Sequence, residues 1–277
     1  MSATWQSADL PEPGRVTALG WALVVLRCMV LGPLVFGGLA LLLLVRLFER
    51  PVCGADRPVS PYITQAVCRT ALLVLGLKYT RRGQPMRGMG AMVANHASWL
   101  DIFVLNAPAR VYFVSKAEVA GWPGIGWLAR ATGTVFIRRN AREASAQRDV
   151  FETRLRAGHR LLFFPEGTST DGQRVLPFKP TLFAAFFAKG LQAGMQVQPV
   201  SVIYTAPAGA DARVYGWWGD MEFGQHFVQV LSRWRQGGVT VVFHAPVQVA
   251  EFASRKALAA WCEAMVRAGF DSGGAAI

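Results

Sequence analysis

Between Thr17 and Val45 the chain carries one charge, Arg27, and from Cys28 to Val45 it carries none. An uncharged run of this length, closed by four leucines at Leu41–Leu44, either enters a bilayer or lies inside a protein core. The flanks favour the bilayer. Asp9 and Glu12 precede the run, whereas Arg46, Arg50 and Arg57 follow it. That asymmetry predicts that the C-terminal side faces the cytoplasm. The region ahead is not cationic and no small-residue cleavage pattern follows, so the segment reads as a retained anchor and not as a signal peptide. Pro33, Gly37 and Gly38 allow either one kinked spanning helix or a re-entrant hairpin. The stretch from Arg50 to Pro61 then reads as a linker. The expected division is an anchor with linker, 1–57, and a second unit, 58–277.

Composition agrees with a membrane surface. The chain is 52% hydrophobic with a formal net charge of +12, and its mean hydropathy is +0.28 at a pI of about 10.3. A basic chain can meet nucleic acid or an anionic membrane. Nucleic-acid binding needs dense basic surface, not long leucine runs, so the expected partner is a bilayer and no nucleic acid. Cys28, Cys53, Cys68 and Cys262 are scattered, without a C-x-x-C pair or zinc spacing. They read as small apolar side chains, with neither disulfide nor metal implied.

Beyond the linker, Ile63–Leu77 reads as a helix, and then the pattern alternates. Short apolar runs (Ala91–Asn95, Val111–Ser115, Thr134–Ile137, Leu161–Phe164, Val197–Ile203, Val239–Phe243) each fit a strand. Helical patterns separate them at Ser98–Leu105, Gly124–Ala131, Ala141–Ala157 and Thr181–Ala193. Strands alternating with helices predict an α/β fold with a mostly parallel central sheet flanked by helices, following an N-terminal membrane-embedded helical segment. Active sites in such sheets lie beyond the carboxyl ends of the strands. Asp220–Trp234 shows helical spacing of Phe223, Phe227, Val230, Leu231 and Trp234, suiting core packing or a membrane surface. Arg255–Ala268 reads as a closing helix.

Two of these strands end in chemistry. The run Ala91–Ala94 leads into Asn95-His96-Ala97-Ser98-Trp99-Leu100-Asp101. An imidazole acts as a general base when a carboxylate fixes its tautomer and steadies the cation that forms. A helix start would explain the same residues more blandly, with Asn95 or Ser98 capping and Asp101 in the first turn. The second strand ends in Phe163-Phe164-Pro165-Glu166-Gly167-Thr168. Trp122 and Trp127 fit a core or an interfacial, acyl-lining surface equally well. His159, His226 and His244 have no partner at motif spacing and read as structural.

Together these residues resemble the glycerolipid acyltransferase family that includes the 1-acylglycerol-3-phosphate acyltransferases. The family's Asn-His-x-Ser-x-x-Asp motif matches Asn95 to Asp101, and its Phe-x-x-Arg matches Phe136 to Arg139. Phe-Pro-Glu-Gly-Thr matches Phe164 to Thr168, and the apolar Pro-Val motif matches Val197 to Val200. Order and spacing agree across roughly 78 to 203. The resemblance implies transfer of a fatty acyl group from a thioester to a lyso-lipid hydroxyl, with His96 as base and Asp101 as its orienter. Glu166, Gly167, Thr168, Arg139 and Lys179 match positions that bind the acceptor. No cofactor or metal is implied; the co-substrate would be acyl-CoA or acyl-ACP (acyl carrier protein). The implied setting is a bacterial inner membrane, with the catalytic part in the cytoplasm.

One position departs from the family. Where Arg usually follows Glu-Gly-Thr, this chain has Ser169, which cannot pair bidentately with a phosphate. Arg138, Arg139, Arg174 and Lys179 remain as anion partners. The run Gly167–Gly172 is similar to the bacterial lyso-ornithine lipid branch, so lysophosphatidic acid and lyso-ornithine lipid both stand as acceptors. Two competing functions are a Ser/His lipid hydrolase using Ser98, which lacks a Gly-x-Ser-x-Gly elbow, and a non-catalytic basic lipid-binding protein.

Overall fold

A computed structural model describes residues 4–7, 9–11, 14–137, 144–187 and 194–273. Its helices, in chain order, are α1 (Ala18–Cys53), α2 (Ser60–Leu75), α3 (Asp101–Asn106), α4 (Ile125–Thr132), α5 (Ala144–Arg156), α6 (Phe223–Leu231) and α7 (Arg255–Asp271). The strands are β1 (Lys78–Arg82), β2 (Gly90–Ala94), β3 (Tyr112–Lys116), β4 (Val135–Ile137), β5 (Arg160–Phe163), β6 (Gln196–Thr205), β7 (Gly238–Phe243) and β8 (Val247–Gln248).

The strands form one sheet in the order β1-β7-β6-β2-β5-β3-β4, with β8 beside β6. The pairings β1–β7, β2–β5, β2–β6, β3–β5 and β3–β4 are parallel; β6 runs antiparallel to β7 and β8. The sheet is therefore mostly parallel and covered on both faces. Successive side chains of a strand point to opposite faces, and β2 shows this directly. Met92 and Ala94 join a core with Leu72, Leu100, Val104 and Leu231, while Ala91 and Val93 join one with Leu155, Phe183, Phe186 and Val266. Burial on both faces explains why β2 reads as a continuous apolar run.

The strand β1 has no apolar run to announce it. Its sequence, Lys78-Tyr79-Thr80-Arg81-Arg82, suits the sheet's edge, where charged side chains discourage pairing with another chain. The segment expected as a helix over Thr181–Ala193 is a 3-10 helix at Pro180–Phe187, and 188–193 lie outside the described residues. The expected helix over Asp220–Trp234 is shorter, at Phe223–Leu231. Its Val230 and Leu231 are buried, while Trp234 beyond it is 69% exposed.

The apolar N-terminal run is one continuous helix through Pro33 and Pro51, not a hairpin. At 1.5 Å per residue its 36 residues extend about 54 Å. Among its residues only Gly20, Val24, Leu42 and Glu49 are buried, which rules out a core helix. Leu19, Met29, Phe36, Leu44, Leu47 and Phe48 are exposed. A helix this apolar and this open to its surroundings is stable in lipid, not in water. The one charge within its apolar run is accounted for: Arg27 donates to the carbonyl oxygens of Leu231 and Arg233 at 2.7 and 2.8 Å, fastening α1 to the C-terminal end of α6.

Candidate active site

At the carboxyl end of β2 the sheet opens between β5 and β6, and Asn95 is the first residue past the strand. Its side-chain amide donates to the Val202 carbonyl and accepts from the Val202 N–H, both at 2.8 Å, so a side chain continues the β2–β6 ladder. Two loops then grip the next two residues: Thr170 N–H donates to the His96 carbonyl and Trp217 N–H to the Ala97 carbonyl. The backbone carrying His96 is therefore fixed from three sides.

His96 Nδ1 lies 2.7 Å from Asp101 Oδ2. The same oxygen accepts from the N–H groups of Ala97 and Ser98 at 2.9 and 3.1 Å, and the Tyr204 hydroxyl donates to Oδ1 at 2.7 Å. Four donors converge on one carboxylate. An acceptor-only carboxylate requires Nδ1 to carry the proton, which leaves the Nε2 lone pair free. The His96 side chain is 22% exposed, whereas Asp101 is sealed. One ring face stacks on Phe164, with centroids 4.0 Å apart at 12°. The parallel register that sets Val93 beside Phe163 brings that phenyl ring under the imidazole.

Asp101 opens α3 without a side-chain cap on the preceding residue; the carboxylate instead gathers the N–H groups of the turn before it. The capping expected of Asn95 and Ser98 is thus largely absent. Asn95 stitches the sheet, and the buried Ser98 only accepts a 3.3 Å bond from Leu100 N–H. A hydroxyl sealed in this way is no nucleophile, which removes the basis of the hydrolase reading.

Glu166, expected among acceptor-binding residues, is buried and faces inward. Its two oxygens accept from the N–H groups of His96 (3.3 Å) and Leu176 (3.1 Å). Burial pushes its carboxyl up to about 8, partly opposed by those two donors. In this geometry Glu166 braces the histidine loop and does not reach out to a ligand. Gly167 has φ +72, a left-handed conformation that favours glycine, and its N–H closes the turn onto the Phe164 carbonyl. Thr168 stands half-exposed at the rim. Lys179 is half-buried, with its N–H on the Pro165 carbonyl. Arg139, with Arg138, lies outside the described residues.

The other three histidines are structural, as expected. His226 Nδ1 accepts from Trp99 Nε1 at 2.9 Å, His244 Nε2 sits 2.8 Å from Ser201 Oγ, and His159 packs on Tyr112. Burial lowers the proton affinity of all three, to about 4 for His159 and His226. Trp122 and Trp127 are 40% and 61% exposed, and Trp127 lines an apolar groove with Leu39 and Leu43 of α1. Neither side chain is therefore core. Sequence reasoning did not find Tyr204, because a tyrosine inside an apolar strand looks like any other core aromatic.

The acyltransferase family model matches residues 76–203. The chain is 58% identical over 265 residues to a lyso-ornithine lipid O-acyltransferase of Rhodobacter capsulatus, covering 96% of each chain. It is 40% identical over 137 residues to a 1-acyl-sn-glycerol-3-phosphate acyltransferase of Neisseria gonorrhoeae, which spans 48% of this chain and 51% of that one. In fold it is similar to the crystal structure of the 1-acyl-sn-glycerophosphate acyltransferase of Thermotoga maritima. That likeness has a TM-score of 0.65 at 22% identity, covering 93% of this chain and 97% of that one.

Proposed function

Because the chain belongs to the acyltransferase family and is a membrane-associated, lysolipid-acylating enzyme of lipid synthesis, we propose that its acceptor is lyso-ornithine lipid and that His96 is its catalytic base. The observation that carries the acceptor is the 58% identity across 96% of both chains to an enzyme named for that substrate. Ser169 supports it, since the family's arginine at that place is missing.

In this reading the acceptor hydroxyl approaches His96 Nε2 from the exposed side of the ring. As its oxygen attacks the thioester carbonyl, the proton passes to Nε2, and the imidazolium is held by Asp101. Collapse of the tetrahedral intermediate forms the ester and expels the thiolate, which takes up the proton. A positioned base contributes about 10²–10⁴-fold. Asp101 orients the ring, Tyr204 and the Ala97 and Ser98 amides hold Asp101, and Glu166 holds the His96 backbone. Thr168, Gly167, Lys179 and Arg139 are the proposed acceptor contacts.

The donor is an acyl thioester of coenzyme A or acyl carrier protein. The proposed location is the inner membrane of a bacterium, with the sheet on the cytoplasmic side, supported by Arg46, Arg50 and Arg57 after the apolar run. The test is purified enzyme with a labelled acyl thioester, as CoA and as carrier-protein ester, offered lyso-ornithine lipid and lysophosphatidic acid separately. The reading expects kcat/KM at least about tenfold higher for lyso-ornithine lipid, since a site built around one head group leaves polar groups unpaired with the other. Equal or better turnover of lysophosphatidic acid overturns it.

A further inference from the structure

The chain ahead of α1 does not trail away from the domain. Trp5 N–H donates to Thr168 Oγ1 at 3.2 Å, and Gln6 Nε2 donates to Asp220 Oδ2 at 2.8 Å. Arg213 donates to the Asp9 carbonyl at 3.2 Å, and Gln229 to the Gly14 carbonyl at 2.6 Å. Each contact joins residues more than 160 positions apart. The Trp5 indole contacts two groups: Trp218, at 6.1 Å between ring centroids, and the Arg174 guanidinium, 5.1 Å from its centroid. This segment is therefore strapped across the same loop, Thr168–Arg174, that grips His96 through Thr170.

Arg174 is pinned in its own plane as well. Its Nε and Nη2 donate to the two oxygens of Asp171 at 3.1 and 2.9 Å, and Asp171 is buried while Arg174 remains half exposed. A guanidinium held by a carboxylate along its edge and seated over an indole ring has little freedom left. Its charge is also already matched by Asp171. A phosphomonoester at neutral pH carries about −1.5 to −2 charges and needs uncompensated cations. An ornithine joined through one amine keeps one carboxylate and one ammonium, with no net charge, and suits a wall that is itself neutral.

We propose that Trp5 and Arg174 form the outer wall of the acceptor site and select a zwitterionic amino-acid head group over a phosphate. This deepens the lyso-ornithine reading and rests on it. Arg174 meets the head-group carboxylate with Nη1, the nitrogen that Asp171 does not engage, so it supplies a hydrogen bond without net charge; Trp5 holds that guanidinium in place and is a positioning residue, not a catalytic one.

The test uses the full chain in mixed micelles and measures kcat and KM separately for lyso-ornithine lipid and lysophosphatidic acid. Trp5→Ala is expected to raise KM for lyso-ornithine lipid about 3- to 30-fold, the range a cation–π contact spans, with kcat within about twofold. Trp5→Phe should restore most of the loss, and Arg174→Gln should reproduce it. KM for lysophosphatidic acid should stay within about twofold in all three, because no phosphate contact is removed. Unchanged KM for both acceptors in Trp5→Ala overturns the proposal, as does an equal rise for both. Failure of the acceptor assignment itself shows differently, as wild-type preference for lysophosphatidic acid.

Discussion

Asp101→Asn separates two jobs that one carboxylate does at once. The side chain keeps its shape, so the question is which way the new amide turns. The Ala97 and Ser98 N–H groups both aim at the Oδ2 position and cannot rotate away, whereas the Tyr204 hydroxyl at Oδ1 can turn and accept. The amide oxygen must therefore take the Oδ2 place and the NH2 must face Tyr204. In that orientation the amide still accepts from His96 Nδ1, and the productive tautomer survives. What is lost is the negative charge beside the imidazolium. With charge centres roughly 4–5 Å apart and an effective dielectric near 20, the lost attraction is about 3–4 kcal/mol, or about 10²–10³ in kcat. A wrong tautomer would cost about 10⁴. The assay is initial-rate acyl transfer, with melting of the detergent-solubilised protein to show that the fold is intact. A kcat within about tenfold of wild type would refute the claim that charge on Asp101 drives the proton transfer. Tyr204→Phe in the Asp101→Asn background should destabilise further, because the NH2 then has no acceptor.

His96→Ala should lower acyl transfer by about 10²–10⁴-fold while the protein still sediments with membranes; retained turnover would remove His96 as the base. Asn95→Ala leaves the buried Val202 N–H and carbonyl unpaired, so thermal unfolding should show a loss of about 2–4 kcal/mol. An unchanged melting temperature would mean that the β2–β6 ladder does not depend on that side chain. For Glu166, burial holds the folded-state value near 8, above its unfolded value. The folded protein therefore binds this proton more tightly, and the group's contribution to stability is greatest at low pH. That contribution is lost as pH rises from the unfolded value to about 8, at up to about 1.4 kcal/mol per pH unit. Glu166→Gln should flatten this part of a denaturation series between pH 5 and 8, and identical slopes in both proteins would contradict the assignment.

How legible the site was depends on distance along the chain. His96 and Asp101 lie five residues apart and could be read together, although the pair gained its weight from the motifs around it. So could the strand ends that carry them, because β2 and β5 are buried on both faces and spell themselves out as apolar runs. The strand β1 could not, since an edge strand gains from charges that hide it from pattern reading. Glu166 was legible as a site residue but not in its direction: a short polar turn does not reveal whether its carboxyl faces outward or back to the His96 amide.

Local chemistry and apolar periodicity were already written in the order of residues: a histidine with a carboxylate five positions on, a mostly parallel α/β sheet, and a segment too greasy for water. The folded sheet and its loops supplied what depends on residues far apart in the chain. It placed the Tyr204 hydroxyl on Asp101, set Phe164 against the imidazole, fastened α1 through Arg27 to α6, and laid Trp5 across Thr168 and Arg174. The physical reason is that periodicity and short-range spacing are properties of a segment, whereas contacts across a hundred or more residues exist only once the sheet order and the loops that close over it are formed.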